Sequence, residues 1–221
     1  MEEFPKPKRE LPKEEVQDAQ IGLLEWELEE RDKQHAAELE EQDRMHGIDH
    51  LTGAMTRKAF EARLAKTLES IRGNGQNEEQ RQGEKKIKEA SLIFIDLDNF
   101  KPVNDTLGHL SGDQVLKKAA SLLQGTLREE DILGRLGGDE FVVLLIDTDE
   151  KGATVAAEKL RAALDNDSDL KELNVTGSIG VCSSSASGAE TSEELIKNAD
   201  DAAYAAKHGG KNQVKVCQAR K

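Results

Sequence analysis

A short glycine-rich turn between two apolar stretches constrains the fold of this chain more than any other feature. Ile132–Leu136 and Phe141–Ile146 are both apolar, and only Gly137-Gly138-Asp139-Glu140 separates them. A connection this tight forces the two flanking strands to pair side by side and antiparallel. The sequence therefore predicts a β-hairpin over residues 132–146.

Helix and strand patterns alternate on both sides of this hairpin. The periodicity predicts a buried strand at Leu92–Leu97, helices at Asp113–Gln124 and about Lys151–Leu164, and a strand at Val175–Cys182. The order β-α-β-β-α-β predicts an α+β fold with a ferredoxin-like, split-βαβ core, in which helices flank a mostly antiparallel central sheet. Further predicted elements are helices at 58–71 and 192–207, the latter opened by a Thr191/Glu194 capping box, and a strand at 214–217.

This order of elements predicts three carboxylates at one edge of the sheet. The strand at 141–146 fits between the strands at 92–97 and 132–136, so the end of the first strand meets the start of the third. Asp96 lies at that end, and Asp139 and Glu140 lie at that start. Carboxylates this close repel one another unless a cation joins them, and Mg²⁺ prefers oxygen ligands that include phosphate. We therefore expect a nucleotide–Mg²⁺ site, with an acidic surface hairpin as the alternative.

The segment after the first strand carries residue types that suit a nucleotide. Lys101 can meet phosphate charge, and Asn104 and Asp113 can both bond the edge of a guanine base. Gly108 and Gly112 allow a tight path and close backbone approach to a ligand. For Asp113 the alternative interpretation is a helix N-cap.

Three motifs, in this order along the chain, resemble the GGDEF domain of the diguanylate cyclase family. They are the FxDxDxFK pattern at 94–101, the NDxxGHxxGD pattern at 104–113 and Gly137-Gly138-Asp139-Glu140-Phe141. The resemblance covers 49–217 and implies a polymerase-palm-like fold. It also implies an enzyme that condenses two GTP molecules across a homodimer into cyclic di-GMP and two pyrophosphates. The alternative from another class is a catalytically silent receptor that binds cyclic di-GMP or GTP.

The same resemblance implies which residues carry the chemistry. Asp96, the Leu97 carbonyl, Asp139 and Glu140 would hold two Mg²⁺ (or Mn²⁺) ions, and Glu140 would either bind metal or activate the attacking hydroxyl. Asn104 and Asp113 would read guanine, and Asp113 favours guanine at both positions because relatives that make mixed dinucleotides carry Ser there. The phosphate contacts implied are the backbone of Asn99 and Phe100 and the side chains of Lys101, Lys207 and Lys211.

Two features bear on regulation and substrate affinity. Arg128-Glu129-Glu130-Asp131 lies just before the hairpin and resembles the family's RxxD product-inhibition site, so Arg128 and Asp131 would bind cyclic di-GMP. A surface ion pair is the alternative. Lys211 stands where the family has arginine and lacks its bidentate fork, which would weaken the grip on the triphosphate. Ala54, Thr56 and Lys58 also depart from the family pattern. The resemblance implies that this segment couples the upstream helix to the catalytic body, so the departures concern signalling more than the chemistry.

The N-terminal part of the chain differs from the rest. Three prolines in the first dozen residues predict a disordered tip at 1–13, and helix-forming residues predict a long signalling or coiled-coil-like helix at 14–48. A solvated acidic helix, or a docking module with the enzyme as cargo, are the alternatives. The catalytic domain would span 49–221 and contain a mobile polar loop at 72–90. An upstream sensor or partner would act through the helix.

Composition excludes several classes of protein. With 31 basic and 44 acidic residues the net charge is −13, which argues against a nucleic-acid binder. No apolar run approaches the roughly 20 residues that span a membrane, and no secretory signal is present, so we expect a cytoplasmic location. Cys182 and Cys217 form no CxxC or Cys/His spacing, which excludes a disulfide framework or zinc module and suits a reducing cytoplasm.

Overall fold

A computed structural model of the chain describes residues 47–73 and 87–218, together with Trp26, Glu30 and Arg31, which are helical. The chain divides into two units, Met1–Met45 and His46–Lys221, and the elements below belong to the second. The predicted disordered tip, almost all of the predicted N-terminal helix and residues 74–86 of the predicted polar loop lie outside the described residues.

Strands and helices alternate through the second unit. The strands are β1 (Met55–Thr56), β2 (Ala90–Asp98), β3 (Ile132–Gly137), β4 (Glu140–Ile146), β5 (Thr176–Ser183) and β6 (Val214–Val216). The helices are α1 (Arg57–Gly73), α2 (Phe100–Leu107), α3 (His109–Thr126), α4 (Glu150–Asn166), α5 (Ser168–Glu172) and α6 (Ser192–His208). None of the helices in the described part of the chain has the length and apolarity that crossing a bilayer requires.

The six strands form one sheet in the order β1-β3-β4-β2-β5-β6. Strand β4 lies between β2 and β3 and is antiparallel to both, as predicted. Strand β5 is antiparallel to β2 on its other side, and the short strands β1 and β6 are parallel to their neighbours. The predicted α+β fold, with a mostly antiparallel sheet flanked by helices, is therefore confirmed.

Both faces of β2 are buried, which explains why its central residues Leu92–Ile95 are all apolar. Ile93 and Ile95 pack on one face in a cluster with residues of α3 and α4. Leu92 and Phe94 pack on the opposite face in a second cluster that includes α1 and α6. Because side chains alternate along a strand, Asp96 falls on the α6 side of the sheet.

A glycine in β5 sets the position of α6. A Cβ atom on Gly180 would lie only 1.9 Å from the carbonyl oxygen of Ala199, so the helix backbone packs directly on the strand. The predicted capping box is present in modified form. Thr191 accepts from the Glu194 backbone N–H at 3.1 Å, whereas the Glu194 carboxylate accepts from the backbone N–H of Glu190 at 2.8 Å.

The segment that follows β2 is helical, although the sequence analysis placed no element between the strand at 92–97 and the helix predicted to begin at Asp113. Helix α2 ends at Leu107, and α3 begins at His109. Gly108 between them caps both helices, and its φ of 83° is positive, which favours glycine. Pro102 is compatible with α2 because it lies in the first turn, where its missing N–H costs nothing. The N-cap interpretation of Asp113 is therefore wrong, since Gly108 is the N-cap and Asp113 lies one turn inside α3. Helix α5 and strand β1 were also not predicted.

Cys182 and Cys217 are joined by a disulfide, with their Cα atoms 5.2 Å apart. The parallel register of β5 and β6 explains the pairing, because Val181 lies opposite Val216 and the next residue of each strand is a cysteine. The chain thus carries one disulfide where the sequence led us to expect none. The covalent loop that it closes contains α6 and the turn that follows it.

Candidate active site

Three acidic residues meet at the end of β2, as the sequence predicted. Asp96 lies directly opposite Glu140 in the antiparallel ladder of β2 and β4. The backbone N–H of Leu97 donates to the carbonyl oxygen of Asp139 at 3.2 Å, which ties the hairpin turn to β2. Gly138 has a φ of 50°, a left-handed conformation that glycine adopts without strain.

Two carboxyl groups of this acidic edge, those of Asp96 and Glu140, have raised pKa values. Burial raises the pKa of Asp96, and the charges of Asp139 and Asp98 raise it further, although the hydrogen bond from Lys207 opposes them. Burial also raises the pKa of Glu140, with contributions from the Asp200, Asp96 and Asp139 charges. A cation placed among these groups would relieve this repulsion, so the donor set suits a bound metal ion.

Lys207, in the last turn of α6, already provides one positive charge at the acidic edge. Its Nζ lies 2.6 and 2.8 Å from the two carboxylate oxygens of Asp96. Burial lowers the pKa of this ammonium, but the hydrogen bond and charge of Asp96 outweigh burial and raise it overall. In the described ranges 47–73 and 87–218, no three His, Cys, Asp or Glu side chains are grouped so that they could hold a metal by themselves. Mg²⁺ would take one or two carboxylates, the Leu97 carbonyl and phosphate oxygens, which is its preferred mixed set.

A second part of the site lies between α2 and α3, where Asn104 and Asp113 are both half-buried. The Asn104 side chain packs directly on Gly112, because a Cβ atom at Gly112 would lie 1.8 Å from Asn104 Oδ1. That oxygen is buried and has no hydrogen-bond partner. An unsatisfied buried acceptor costs about 1–3 kcal/mol, and a ligand N–H could satisfy it.

The predicted phosphate contacts lie at the junction of β2 and α2. Asn99 caps α2 in a left-handed conformation with a φ of 61°, and Phe100 is buried beneath the helix. Lys211 Nζ donates to Asn99 Oδ1 at 2.7 Å. Lys101 is exposed on the first turn of α2. Lys207 lies in the last turn of α6, and Lys211 lies in the turn that follows it. Both side chains reach the same end of β2.

The structure adds a contact that sequence reasoning missed, between Asp49 and Arg135 on β3. Arg135 donates to both carboxylate oxygens of Asp49 at 3.2 Å, and its Nη2 donates to the carbonyl oxygen of Gly138 at 2.8 Å. Burial would raise the pKa of Asp49, but hydrogen bonds from Thr52 and the charge of Arg135 lower it overall. One arginine thus links the segment before β1 to the hairpin turn. The sequence feature that could have indicated this contact is the position of Arg135, two residues before Gly137.

We expect the variant Asp49→Asn to lose about 1–2 kcal/mol of unfolding free energy at neutral pH, because it removes a charged hydrogen-bond partner. The folded pKa of Asp49 lies below its ordinary value of 3.8, so its contribution is complete above that pH and disappears as the pH falls through the folded value. Denaturant titrations of both proteins at pH 7 and near pH 3 measure this. A stability difference that is equal at both pH values would contradict the prediction.

Arg128 and Asp131 lie at the opposite end of β3 from the hairpin. The Arg128 side chain is exposed, and the Asp131 side chain is buried. Asp131 accepts from the backbone N–H of Arg128 at 3.1 Å, and its Oδ1 has no hydrogen-bond partner. Burial raises the pKa of this carboxyl. The pair is therefore separate from the acidic edge.

Comparisons with known proteins agree with this arrangement. The family model described as "Diguanylate cyclase, GGDEF domain" matches residues 46–213. Diguanylate cyclase A of Treponema denticola is 41% identical over 135 residues, which are 60% of this chain and 36% of that protein. Cyclic di-GMP phosphodiesterase NbdA of Pseudomonas aeruginosa is 36% identical over 170 residues, or 76% of this chain and 20% of that protein. This chain thus spans about a third or less of these relatives.

A solved structure shows the same fold. The coiled coil and GGDEF domain of DgcB from Caulobacter crescentus, in complex with c-di-GMP, superposes with a TM-score of 0.67 and 27% identity. The match covers 90% of this chain and 98% of that one.

Proposed function

Since the chain belongs to the GGDEF family of diguanylate cyclase domains, we propose that it condenses two GTP molecules into cyclic di-GMP and two pyrophosphates. One observation carries this proposal. Asp96 faces Glu140 across the ladder beside Asp139, and Lys207 reaches the same edge. The edge thus combines the carboxylates that suit a metal with a cation that suits phosphate.

In the proposed reaction, the 3′-oxygen of each GTP attacks the α-phosphorus of the other, and the bond to the β-phosphate oxygen breaks. Mg²⁺ held by Asp96, the Leu97 carbonyl, Asp139 and Glu140 would neutralise phosphate charge and favour ionisation of the 3′-hydroxyl, in the manner of a two-metal site. The protein's own groups then position the reactants, which is the main part of phosphoryl-transfer catalysis.

Of the remaining residues of the site, some would bind the guanine base and others would bind the phosphates. The orphan Oδ1 of Asn104 supports a guanine contact, since guanine offers N–H donors, and Asp113 would accept from the same base edge. Lys207, Lys211, Lys101 and the backbone at Asn99 and Phe100 would hold the triphosphate. When GTP binds, Lys207 would exchange part of its contact with Asp96 for a phosphate oxygen.

The chemistry requires two copies of the chain, because one site holds one GTP. A homodimer with two-fold symmetry would bring the two sites face to face. We expect a monomer–dimer equilibrium near working concentrations, with the predicted helix at 14–48 as the element through which an upstream partner changes it. The catalytic domain in this proposal is 49–221.

Product inhibition would act away from the acidic edge. Arg128 is exposed, so its guanidinium could stack on and bond cyclic di-GMP, and Asp131 Oδ1 lacks a partner that a guanine N–H could supply. The position of this pair at the far end of β3 supports an inhibitory role that is distinct from catalysis.

Mass spectrometry of the products tests the proposed function. The purified chain is first stripped of any bound cyclic di-GMP, and then incubated with Mg²⁺ and GTP, ATP or both. We expect cyclic di-GMP from GTP alone. If no product forms even when the chain is fused to a strong dimerisation module, the cyclase proposal fails, and retained binding of cyclic di-GMP would favour a receptor.

A further inference from the structure

Asp98, the last residue of β2, is a fully buried acidic side chain with an unusual set of partners. Its carboxylate accepts from the hydroxyls of Thr176 and Ser178, both at 2.7 Å, and from the backbone N–H of Asn212 at 3.1 Å. A buried carboxylate is costly unless it is well hydrogen-bonded. These contacts join the end of β2 to the start of β5 and to the turn that follows α6.

That turn, residues 209–213, has an energetically unfavourable backbone. Lys211 and Asn212 have φ angles of 63° and 43°, so two consecutive non-glycine residues are left-handed. Left-handed conformations are unfavourable for residues with a Cβ atom, and they persist only where the surroundings enforce them. The 209–213 turn is therefore held by specific contacts.

Asn212 receives most of those contacts. Besides its backbone bond to Asp98, its side-chain Oδ1 accepts from Arg161 Nη1 at 2.8 Å, and its Nδ2 donates to Asp165 at 3.0 Å. Both partners lie on α4. Asn212 is thus fixed from two directions, by β2 and by α4.

The neighbour of Asn212 is Lys211, whose Nζ reaches Asn99, and Asn99 is itself the neighbour of Asp98. We propose that Asp98 is a positioning residue for phosphate recognition, which holds Asn212 and thereby directs Lys211 toward the nucleotide's phosphates. This inference rests on the proposed function, from which it takes the binding of GTP phosphates by Lys211. It gives Asp98 a role different from that of Asp96, although only one residue separates them.

Steady-state kinetics of Asp98→Asn test this role. The amide has nearly the same shape but loses one acceptor oxygen and the charge. We expect the KM for GTP to rise about tenfold, as for loss of a charged hydrogen bond, while kcat changes less than threefold. Lys211→Ala should give a similar rise. Adding Lys211→Ala to Asp98→Asn should raise the KM little further, because both changes disable one contact.

Three results would overturn the proposal. They are an unchanged KM in Asp98→Asn, multiplicative effects in the double variant, or a kcat loss as large as that of Asp96→Asn, which would make Asp98 part of the catalytic centre. Should Asp98→Asn fold poorly, Arg161→Met removes one of the two α4 contacts of Asn212 while keeping an unbranched side chain on α4. It should reproduce the KM effect, and an unchanged KM there would also count against the proposal.

Hydrogen exchange in the nucleotide-free protein separates this inference from the proposed function. The Asn212 amide should exchange at least tenfold faster in Asp98→Asn than in the wild type, because its acceptor is weakened. Ser178→Ala, which keeps the carboxylate, should leave that amide protected. If exchange responds as expected but the wild type binds no GTP, the turn anchor stands, and both the proposed function and the phosphate role fail.

Discussion

Replacing Asp139 with asparagine should reduce cyclic di-GMP formation at least a thousandfold while leaving the fold intact. The substitution removes one negative charge from the edge where Asp96 and Glu140 face each other. In the proposed mechanism this charge helps to hold the Mg²⁺ that would neutralise the transferring phosphates. The backbone carbonyl of residue 139, which accepts from Leu97, is unchanged by it. Activity and stability should therefore respond separately.

Initial rates of cyclic di-GMP formation and thermal melting, measured on the same preparation, decide this. Asp201→Asn is the matched control, because Asp201 lies exposed on α6 in an ion pair with Lys197. It removes the same charge and should keep nearly full activity. Turnover by Asp139→Asn within threefold of the wild type would refute the assignment of the acidic edge as the catalytic centre.

Gly112→Ala should lower kcat/KM for GTP by about a hundredfold without lowering the melting temperature. The new methyl group would lie 1.8 Å from Asn104 Oδ1, so the asparagine side chain would have to leave its place between α2 and α3. Alanine is a better helix former than glycine by about 1 kcal/mol, which offsets the cost of moving a side-chain end. The loss should therefore appear in recognition of guanine.

Gly125→Ala provides the control for this substitution. Gly125 lies in the same helix, and a Cβ atom there would have nothing within 4 Å. This variant should gain a little stability and keep its kcat/KM for GTP. Equal kcat/KM values for the two variants would show that the packing of Asn104 on Gly112 does not matter for substrate.

The acidic edge could be predicted from the sequence because local rules determine it. A tight glycine turn between two apolar strands specifies a hairpin, and the β-α-β-β-α-β order then leaves one position for the third strand. These rules use short stretches of chain and the period of the side chains. They were sufficient to bring Asp96 beside Asp139 and Glu140.

Other parts of the fold depended on competing local effects. No element was predicted in the polar, glycine-containing segment after β2, but Pro102 fits a first helical turn and Gly108 permits one helix to end as the next begins. The prediction therefore missed α2 and misplaced the start of α3. Propensity alone did not decide this, because burial of Phe100 and Val103 in the core also stabilises α2.

The sequence by itself thus determined strands β2 to β6, the hairpin and the acidic edge, because neighbouring residues and strand periodicity specify them. Only the tertiary structure decided which distant groups meet that edge. The ion pair of Lys207 with Asp96 joins residues that are 111 positions apart in the sequence. The contact of Asp98 with Asn212 spans 114 positions, and that of Arg135 with Asp49 spans 86. The physical reason is that such contacts depend on strand register and on how closely α6 packs against β5, which no local stretch of chain encodes.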